Sequence, residues 1–438
     1  MTYYIDPFGC VKNQVDAETM MSFLNQAGWE TTEDAGAADL IIVNSCGFIE
    51  SAKQESINAV LAWRRLYPEK KILLAGCLAQ RYAAELSEAL PEADLLFGNT
   101  DLSGIAEAAA KAAGNGRETG EPERADTEGA PDAGLVSAGK RPLLSLPGSA
   151  YVKISEGCDN RCSFCAIPLI RGGLKSRAVS GILDECKALL DRGIKELCII
   201  GQDIGSYKPG LPALLEEIAK LEGGFWVRLL YIHPDHFPFP ILDIMERDSR
   251  FLPYFDIPFQ HGSEKILRLM NRRGNAETYL ALIETIRSRL PDAAVRSAFM
   301  TGFPGETQED FRALLDFQEK ARLDWMGCFA YSREEGTPAY SMKRQVAKKT
   351  AAERKRILEE QQIPISEKQM DRFIGKDLPC IVEERIEGEE GLYLGRLPCQ
   401  APDVDGAAVI SNGAELRPGD LVRCRVFARA GFDLEVKV

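Results

Sequence analysis

Cys158-Asp159-Asn160-Arg161-Cys162-Ser163-Phe164-Cys165 stands directly behind the β-forming stretch 151–154. Three cysteines at C-x3-C-x2-C spacing on one short loop supply three soft thiolates, the donor set of an iron–sulfur cluster. A cubane has four irons, so three cysteines leave one iron open. That iron can bind a substrate-like ligand and pass it an electron. Zinc would take four protein ligands or recruit histidine, and the chain has only 3 His. Three buried core cysteines are the bland alternative. Gly157, Asp159, Asn160 and Arg161 argue against it, because they mark a polar loop.

Working outward, the loop opens a series of strand and helix signals. Strands are expected at 151–154, 196–200, 225–231, 254–257, 295–300 and 326–330, with helices between most of them, such as 183–190 and 278–289. Six βα repeats predict a partial (βα)6 barrel, whose active site lies in the loops after the strands. A long charged helix over 348–370 follows, with Pro364 as its most awkward residue. Upstream, 2–6, 40–44 and 72–75 are short β-rich runs followed by helical patterns. One of these, 17–27, stops at Gly28. That pattern predicts a second parallel α/β sheet. Between the two regions, 115–134 is rich in Gly, Glu, Pro and Ala and reads as a linker. After Gly375, short β runs (378–382, 392–394, 407–410, 421–427 and 434–438) separated by turns predict a small all-β barrel. The expected organisation is therefore a multidomain α/β chain. Its parts are an N-terminal cluster domain at 1–112, a linker at 113–148, a barrel at 149–370 and a small barrel at 371–438.

Composition narrows the class. The 438 residues carry 53 Lys+Arg against 66 Asp+Glu, a net charge of −13. Phosphate binding rests on Lys and Arg, so this balance disfavours nucleic acid as substrate and suits a basic partner. No apolar run reaches the length of a membrane span, and the N-terminus lacks a basic leader region. A cytoplasmic location with no membrane partner is expected. In that setting the 12 Cys are to be read as metal ligands or redox groups rather than disulfides.

Cys10, Cys46 and Cys77 are far apart in sequence, but each falls two to four residues past a predicted parallel strand. Loops at one edge of an open α/β sheet converge. Three cysteines there make a second cluster site with one open iron, and Gly9, Gly47 and Gly76 let the backbone curl around it.

Other stretches carry a family resemblance. The triplet with Phe164 before its last cysteine is similar to the signature of the radical S-adenosylmethionine superfamily. So are Arg171-Gly172-Gly173, Ser176-Arg177, Gly201-Gln202-Asp203 and Gly302-Phe303-Pro304-Gly305-Glu306, in barrel order. Gly9 to Asn13, Asn44 to Ile49 and Ala75 to Leu78 resemble the N-terminal domain of methylthiotransferases. Gly395-Arg396 and Gln400 to Gly406 resemble the TRAM core. The resemblance implies two 4Fe-4S clusters, on Cys158, Cys162 and Cys165 and on Cys10, Cys46 and Cys77. It also implies S-adenosyl-L-methionine held near Phe164, Arg177, Gly201, Gln202, Gly302 and Gly305.

Within that family the chain looks like the branch that methylthiolates the β-carbon of an aspartate in ribosomal protein S-twelve. The residues that carry this are Cys10 to Asp16, Cys46 to Ile57, Gly76 to Tyr82, Ser155 to Asp159, Phe259-Gln260-His261 and Met270 to Gly274. The transfer-RNA adenosine branch, the alternative, would show a glutamine after the first cysteine and an arginine shortly after the second. This chain has Val11 and Gly47-Phe48. The implied chemistry is radical, because an aspartate β-carbon C–H bond is unactivated. The first cluster would cleave S-adenosylmethionine to the radical that abstracts hydrogen. The second would deliver sulfur, and a second S-adenosylmethionine the methyl group. The implied partners are the ribosomal protein, an electron donor such as a flavodoxin or ferredoxin, and a sulfur source.

Plainer readings hold elsewhere. Cys186, Cys198 and Cys328 read as core. Cys380, Cys399 and Cys424 fall in the small barrel and receive no role. His233 and His236 read as loop residues, His261 as a strand-end residue facing the active site, and Trp226 and Trp325 as core.

Overall fold

The stretch Leu40-Ile41-Ile42-Val43 has no polar residue, a pattern suited to a strand covered on both faces. In the computed structural model, which describes residues 1–114, 141–412 and 415–438, it is the centre of a five-stranded sheet. Strands β1 (Thr2–Pro7), β2 (Glu30–Thr31), β3 (Leu40–Ser45), β4 (Lys71–Gly76) and β5 (Leu95–Phe97) lie in the order β2-β1-β3-β4-β5. All neighbours are parallel. Alternate residues serve opposite faces. Leu40 and Ile42 pack with Tyr3, Met20 and Leu24, whereas Ile41 and Val43 pack with Val60, Ile72 and Leu74.

The helix Val11–Gln26 begins six residues before the expected 17. Its first turns bury Lys12, Asn13, Asp16 and Glu18, so their polarity concealed the helix. It ends as expected. Gly28 has φ +84°, and the Trp29 amide donates to the Leu24 carbonyl at 3.0 Å.

By its contacts the described chain forms two compact units. The first comprises Met1–Leu144, Lys153–Glu185 and Ser332–Tyr340, and the second Ser145–Val152, Cys186–Tyr331 and Ser341–Val438. Strand β6 (Ser149–Lys153) ends where the first unit resumes. The antiparallel pair β7 (Ser155–Glu156) and β8 (Lys175–Ser176) then closes the base of the cysteine loop. Most of the expected linker, 115–140, lies outside the described residues.

In the second unit β6 is joined by β9 (Glu196–Ile200), β10 (Trp226–Leu229), β11 (Phe251–Asp256), β12 (Ala294–Thr301) and β13 (Trp325–Ala330). The order β13-β12-β11-β10-β9-β6 follows the chain, and β9 to β13 pair in parallel. This is the partial (βα)6 barrel. Its crossover helices start where the sequence caps them. Asn275 and Thr278 form a capping box for Ala276–Arg289, and Thr307 and Asp310 form one for Gln308–Ala321.

The helix Lys348–Asp371 runs through Pro364, although proline removes a backbone donor. Buried hydrogen bonds grip it on both sides. Gln318 Nε2 donates to the Leu358 carbonyl at 2.9 Å, and Ser366 Oγ to the Asp324 carbonyl at 2.7 Å. Strands β14 (Asp377–Arg385), β15 (Leu392–Arg396), β16 (Ala408–Ser411), β17 (Leu421–Ala430) and β18 (Asp433–Lys437) close the small barrel.

One buried cluster joins the small barrel to the sheet. The Glu196 carboxylate accepts from Arg228 Nε at 2.7 Å, Ser149 Oγ at 2.7 Å and Arg396 Nη2. Cys186, Cys198, Cys328, Trp226 and Trp325 are core residues, as expected, and Cys380, Cys399 and Cys424 are buried too. No disulfide joins any of the cysteines among the described residues. No described helix is long and apolar enough to cross a membrane.

Candidate active site

Cys10, Cys46 and Cys77 each follow the carboxyl end of a neighbouring strand, β1, β3 and β4. The loops meet. A Cβ on Gly9 would stand 3.0 Å from the Cβ of Cys46, and one on Gly47 would stand 2.6 Å from the Cys77 carbonyl oxygen. Only glycine at 47 lets the second loop lie on the third. The three thiols are close enough to oppose each other's ionisation. Burial, reinforced by Cys10, raises the Cys46 thiol. Burial first, then Asp16, Cys10 and Cys46, pushes Cys77 up to about 12, against the lowering influence of Arg171. Binding a metal at such thiols therefore means displacing protons from them.

Polar groups surround the Cys77 sulfur. Its thiol donates to Asn13 Oδ1 at 3.1 Å, while Asn99 Nδ2 and Arg171 Nη2 donate to it at 3.3 and 3.2 Å. Cys10 is the N-cap of the helix Val11–Gln26 and makes no side-chain cap bond, so its sulfur sits at the positive end of a helix dipole. Cys46 is held through its amide, which donates to Ser56 Oγ at 3.0 Å.

The second triplet is half-buried. Its loop is tightly folded: the Cys158 amide donates to the Gly172 carbonyl at 3.2 Å, and the Cys165 amide to the Cys162 carbonyl at 3.0 Å. A Cβ on Gly157 would lie 2.1 Å from the Gly173 oxygen, so this position too admits only glycine. Arg161, between the first two cysteines, has φ +51°, a conformation that non-glycine residues adopt at some cost and often at functional sites. Phe164 is half-buried.

Both triplets belong to the first unit. Cys77 packs in one small cluster with Ala166, Ile170 and Phe48, and Ala166 follows Cys165 directly. The segment Ser332–Tyr340 joins them. The buried Glu334 carboxylate accepts from Arg81 Nη1 at 2.8 Å and Lys53 Nζ at 3.1 Å, and the Arg81 guanidinium also donates to the Gly47 carbonyl. Among the described residues, no three His, Cys, Asp or Glu side chains gather tightly enough for a single metal ion. A cubane takes its three thiolates on three different irons, so its ligands stand further apart. The donor set fits such a group at each triplet.

The remaining candidates are mostly engaged by their own elements. Arg177 is buried, with Nη1 donating to Glu185 Oε2 and the Lys153 carbonyl, each at 2.6 Å. Gly201 is buried and Gln202 half-buried. Asp203 caps a short turn and accepts from the His233 amide. Gly302 has φ +76°, and a Cβ there would lie 2.2 Å from that of Ala351. The Gly302 and Phe303 amides both donate to Glu306 Oε2. The Gly305 amide donates to the Arg344 carbonyl. His233 and His236 are loop residues, as expected. His261 is fully buried, its Nδ1 accepting from the Ser263 amide.

The sequence reading did not assign Asn13, Asp16, Asn99, Lys153, Glu156 or Glu334, and it noted Arg171 without a role. The available signal was the polar residues at 12, 13, 14 and 16, just past Cys10.

Comparison with known proteins fits this geometry. The model of an uncharacterised protein family, UPF0004, matches residues 2–98, that of the radical SAM superfamily residues 152–317, and that of the TRAM domain residues 374–438. The ribosomal protein uS12 methylthiotransferase RimO of Treponema denticola is 47% identical over 465 residues, covering 98% of this chain and 99% of that protein. The protein of the same name from Symbiobacterium thermophilum is 39% identical, covering 97% and 88%. The chain belongs to the RimO family. Among solved structures, the radical S-adenosylmethionine methyltransferase TsrM from Kitasatospora setae, with cobalamin and a 4Fe-4S cluster bound, matches with a TM-score of 0.56. The identity is 16%, and the match covers 77% of this chain and 76% of that one. At that identity the likeness concerns the fold alone, which this RimO family member shares.

Proposed function

We propose that this chain methylthiolates the β-carbon of an aspartate in ribosomal protein uS12, as a radical S-adenosylmethionine enzyme with two 4Fe-4S clusters. The observation that carries this reading is the convergence of Cys10, Cys46 and Cys77 in the same unit as the Cys158 loop. An enzyme that only cleaved S-adenosylmethionine would need one triplet. A second set of three thiols suits a centre that holds the sulfur to be inserted.

When bound, the group on Cys158, Cys162 and Cys165 supplies the electron for radical chemistry at S-adenosylmethionine, and the group on Cys10, Cys46 and Cys77 supplies sulfur. The chain's own residues hold and orient these centres. Asn13, Asn99 and Arg171 fix the Cys77 sulfur. Arg81, Lys53 and Glu334 fasten the segment after β13 beside Gly47. Phe164, Arg177, Gly201, Gln202, Gly302 and Gly305 are proposed S-adenosylmethionine contacts from their places in the motifs. The functional domains proposed are 1–112, 149–370 and 371–438, with 113–148 as linker. The electron donor is proposed to be a flavodoxin or ferredoxin, with a separate sulfur source, in the cytoplasm where ribosomal proteins are made.

The test is the intact mass of uS12 from cells with and without this gene. A difference of one methylthio group, mapped to one aspartate, is expected. An unchanged uS12 would overturn the reading, and nucleoside analysis of transfer RNA from the same cells would then follow.

A further inference from the structure

Arg171 lies six residues past the last cysteine of one triplet, and its side chain reaches a ligand of the other. Its guanidinium is buried. Nη2 lies 3.2 Å from Cys77 Sγ, 2.6 Å from Asn13 Oδ1 and 2.8 Å from Asp16 Oδ2, and Nη1 lies 2.9 Å from Glu156 Oε1. Lys153 Nζ closes a ring, 2.6 Å from both Asp16 Oδ1 and Glu156 Oε2. The ring holds two cations and two anions in alternation, so it is neutral without the cysteines. Gathering four charges out of water carries a large desolvation cost, and apolar packing would often serve stability as well. What the ring achieves is placement: it fixes the guanidinium Nη2, shared with Asn13 and Asp16, within hydrogen-bond reach of a sulfur. The next residue, Gly172, accepts the Cys158 amide. Two consecutive residues therefore touch both cysteine sets.

We infer that Arg171 is a positioning residue that raises the reduction potential of the centre on Cys10, Cys46 and Cys77 and braces that centre to the Cys158 loop. This inference rests on the proposed second cluster. A hydrogen bond to a ligating sulfur withdraws electron density and favours the reduced form, and such bonds and local charge set cluster potentials. Guanidinium keeps its proton throughout the working pH range, so this influence is constant. Its planar fork reaches Cys77, Asn13, Asp16 and Glu156 together, which a lysine ammonium cannot do. Asn99 is a second, neutral donor to the same sulfur at 3.3 Å and should act in the same direction more weakly.

The full-length chain carrying Cys158→Ala, Cys162→Ala and Cys165→Ala isolates the second centre. It is reconstituted anaerobically with iron and sulfide, and its iron content is measured. Four irons per chain are expected. No bound iron would mean that the second-cluster reading fails, and the role of Arg171 falls with it. In the same background, Arg171→Gln should retain iron and shift the midpoint, in a one-electron titration followed by electron paramagnetic resonance, to more negative potential. The expected shift is at least tenfold in the equilibrium, about 59 mV. Asn99→Ala should shift it less, in the same direction. Asp16→Asn, which leaves the Arg171 charge less compensated, should shift it the opposite way. Shifts of opposite sign within one ring would not come from loosened structure alone. Full iron content with an unmoved potential in Arg171→Gln would overturn the inference. If that variant does not fold, an unmoved or negative shift in Asp16→Asn would do so.

Discussion

Cys46 and Cys158 are proposed to serve separable halves of the reaction. In the proposed mechanism the Cys158 loop serves cleavage of S-adenosylmethionine and the Cys46 loop serves sulfur transfer. Cys158→Ala should therefore abolish formation of 5′-deoxyadenosine, measured by chromatography after reduction. Cys46→Ala should retain it within a few-fold and give no methylthiolated uS12. Methylthiolated product from Cys46→Ala would remove the sulfur-donor role. The cysteines themselves were legible in the sequence, for two different reasons. Cys158, Cys162 and Cys165 share one short loop, so spacing alone exposes them. Cys10, Cys46 and Cys77 share nothing local, but each follows a readable strand, and parallel topology brings such loops to one edge. Their polar surroundings were not legible. Arg171 and Asn13 are 158 positions apart, and Asn99 comes from the loop after the short strand β5. No periodicity links them; only the folded chain does.

At the scale of elements, strand positions were readable because burial on both faces leaves continuous apolar runs, as in β3 and β4. Their ends differ from the expected ones by at most three residues, and 196–200 is unchanged. Short or polar pieces were missed: β5 has three half-buried residues, and the helix Val11–Gln26 was expected only from 17 because its first turns carry buried polar residues. The helix expected over 348–370 does run through its awkward Pro364, because Gln318, Gln362 and Ser366 hold it by hydrogen bonds no local pattern reveals. The loops between elements are more tightly specified. Gly47→Ala places a methyl group 2.6 Å from the Cys77 carbonyl oxygen, an overlap that only a backbone shift can relieve. Overpacking of this kind costs about 1–3 kcal/mol. The expected outcome is a folded protein that loses iron at Cys10, Cys46 and Cys77 while keeping it at the other triplet. Iron and sulfide analysis of Gly47→Ala in the otherwise natural chain, where half the iron should remain, and in the Cys158→Ala/Cys162→Ala/Cys165→Ala background, where none should, would check this, with unchanged iron content as the contrary result.

For the whole molecule, charge acts at two ranges. At long range the net charge of −13 would steer a basic ribosomal protein, and salt screens such attraction over a Debye length of about 8 Å at physiological ionic strength. KM for uS12 should rise with added salt while kcat changes little; a flat KM would place recognition in short-range contacts. At short range, charge holds the small barrel to the six-stranded sheet through Glu196. Burial alone would raise this carboxyl, but Arg396 and Arg228 more than reverse it and hold it at about 2, below its ordinary 4.5. A carboxyl depressed in the folded state contributes stability that is complete above the unfolded value, near 4.5. That stability is lost as pH falls toward 2. Removing one partner of a buried ion pair typically costs about 3–5 kcal/mol. Glu196→Gln keeps the shape but leaves Arg228 and Arg396 buried with less compensation, so it should destabilise the second unit by a similar amount at neutral pH. Denaturant unfolding of both proteins from pH 7 to pH 3 tests this. The stability difference should be full at pH 7 and shrink as pH drops below 4.5, because the natural protein loses what the variant already lacks. A difference that stays constant with pH would assign the cost of the substitution to packing rather than charge.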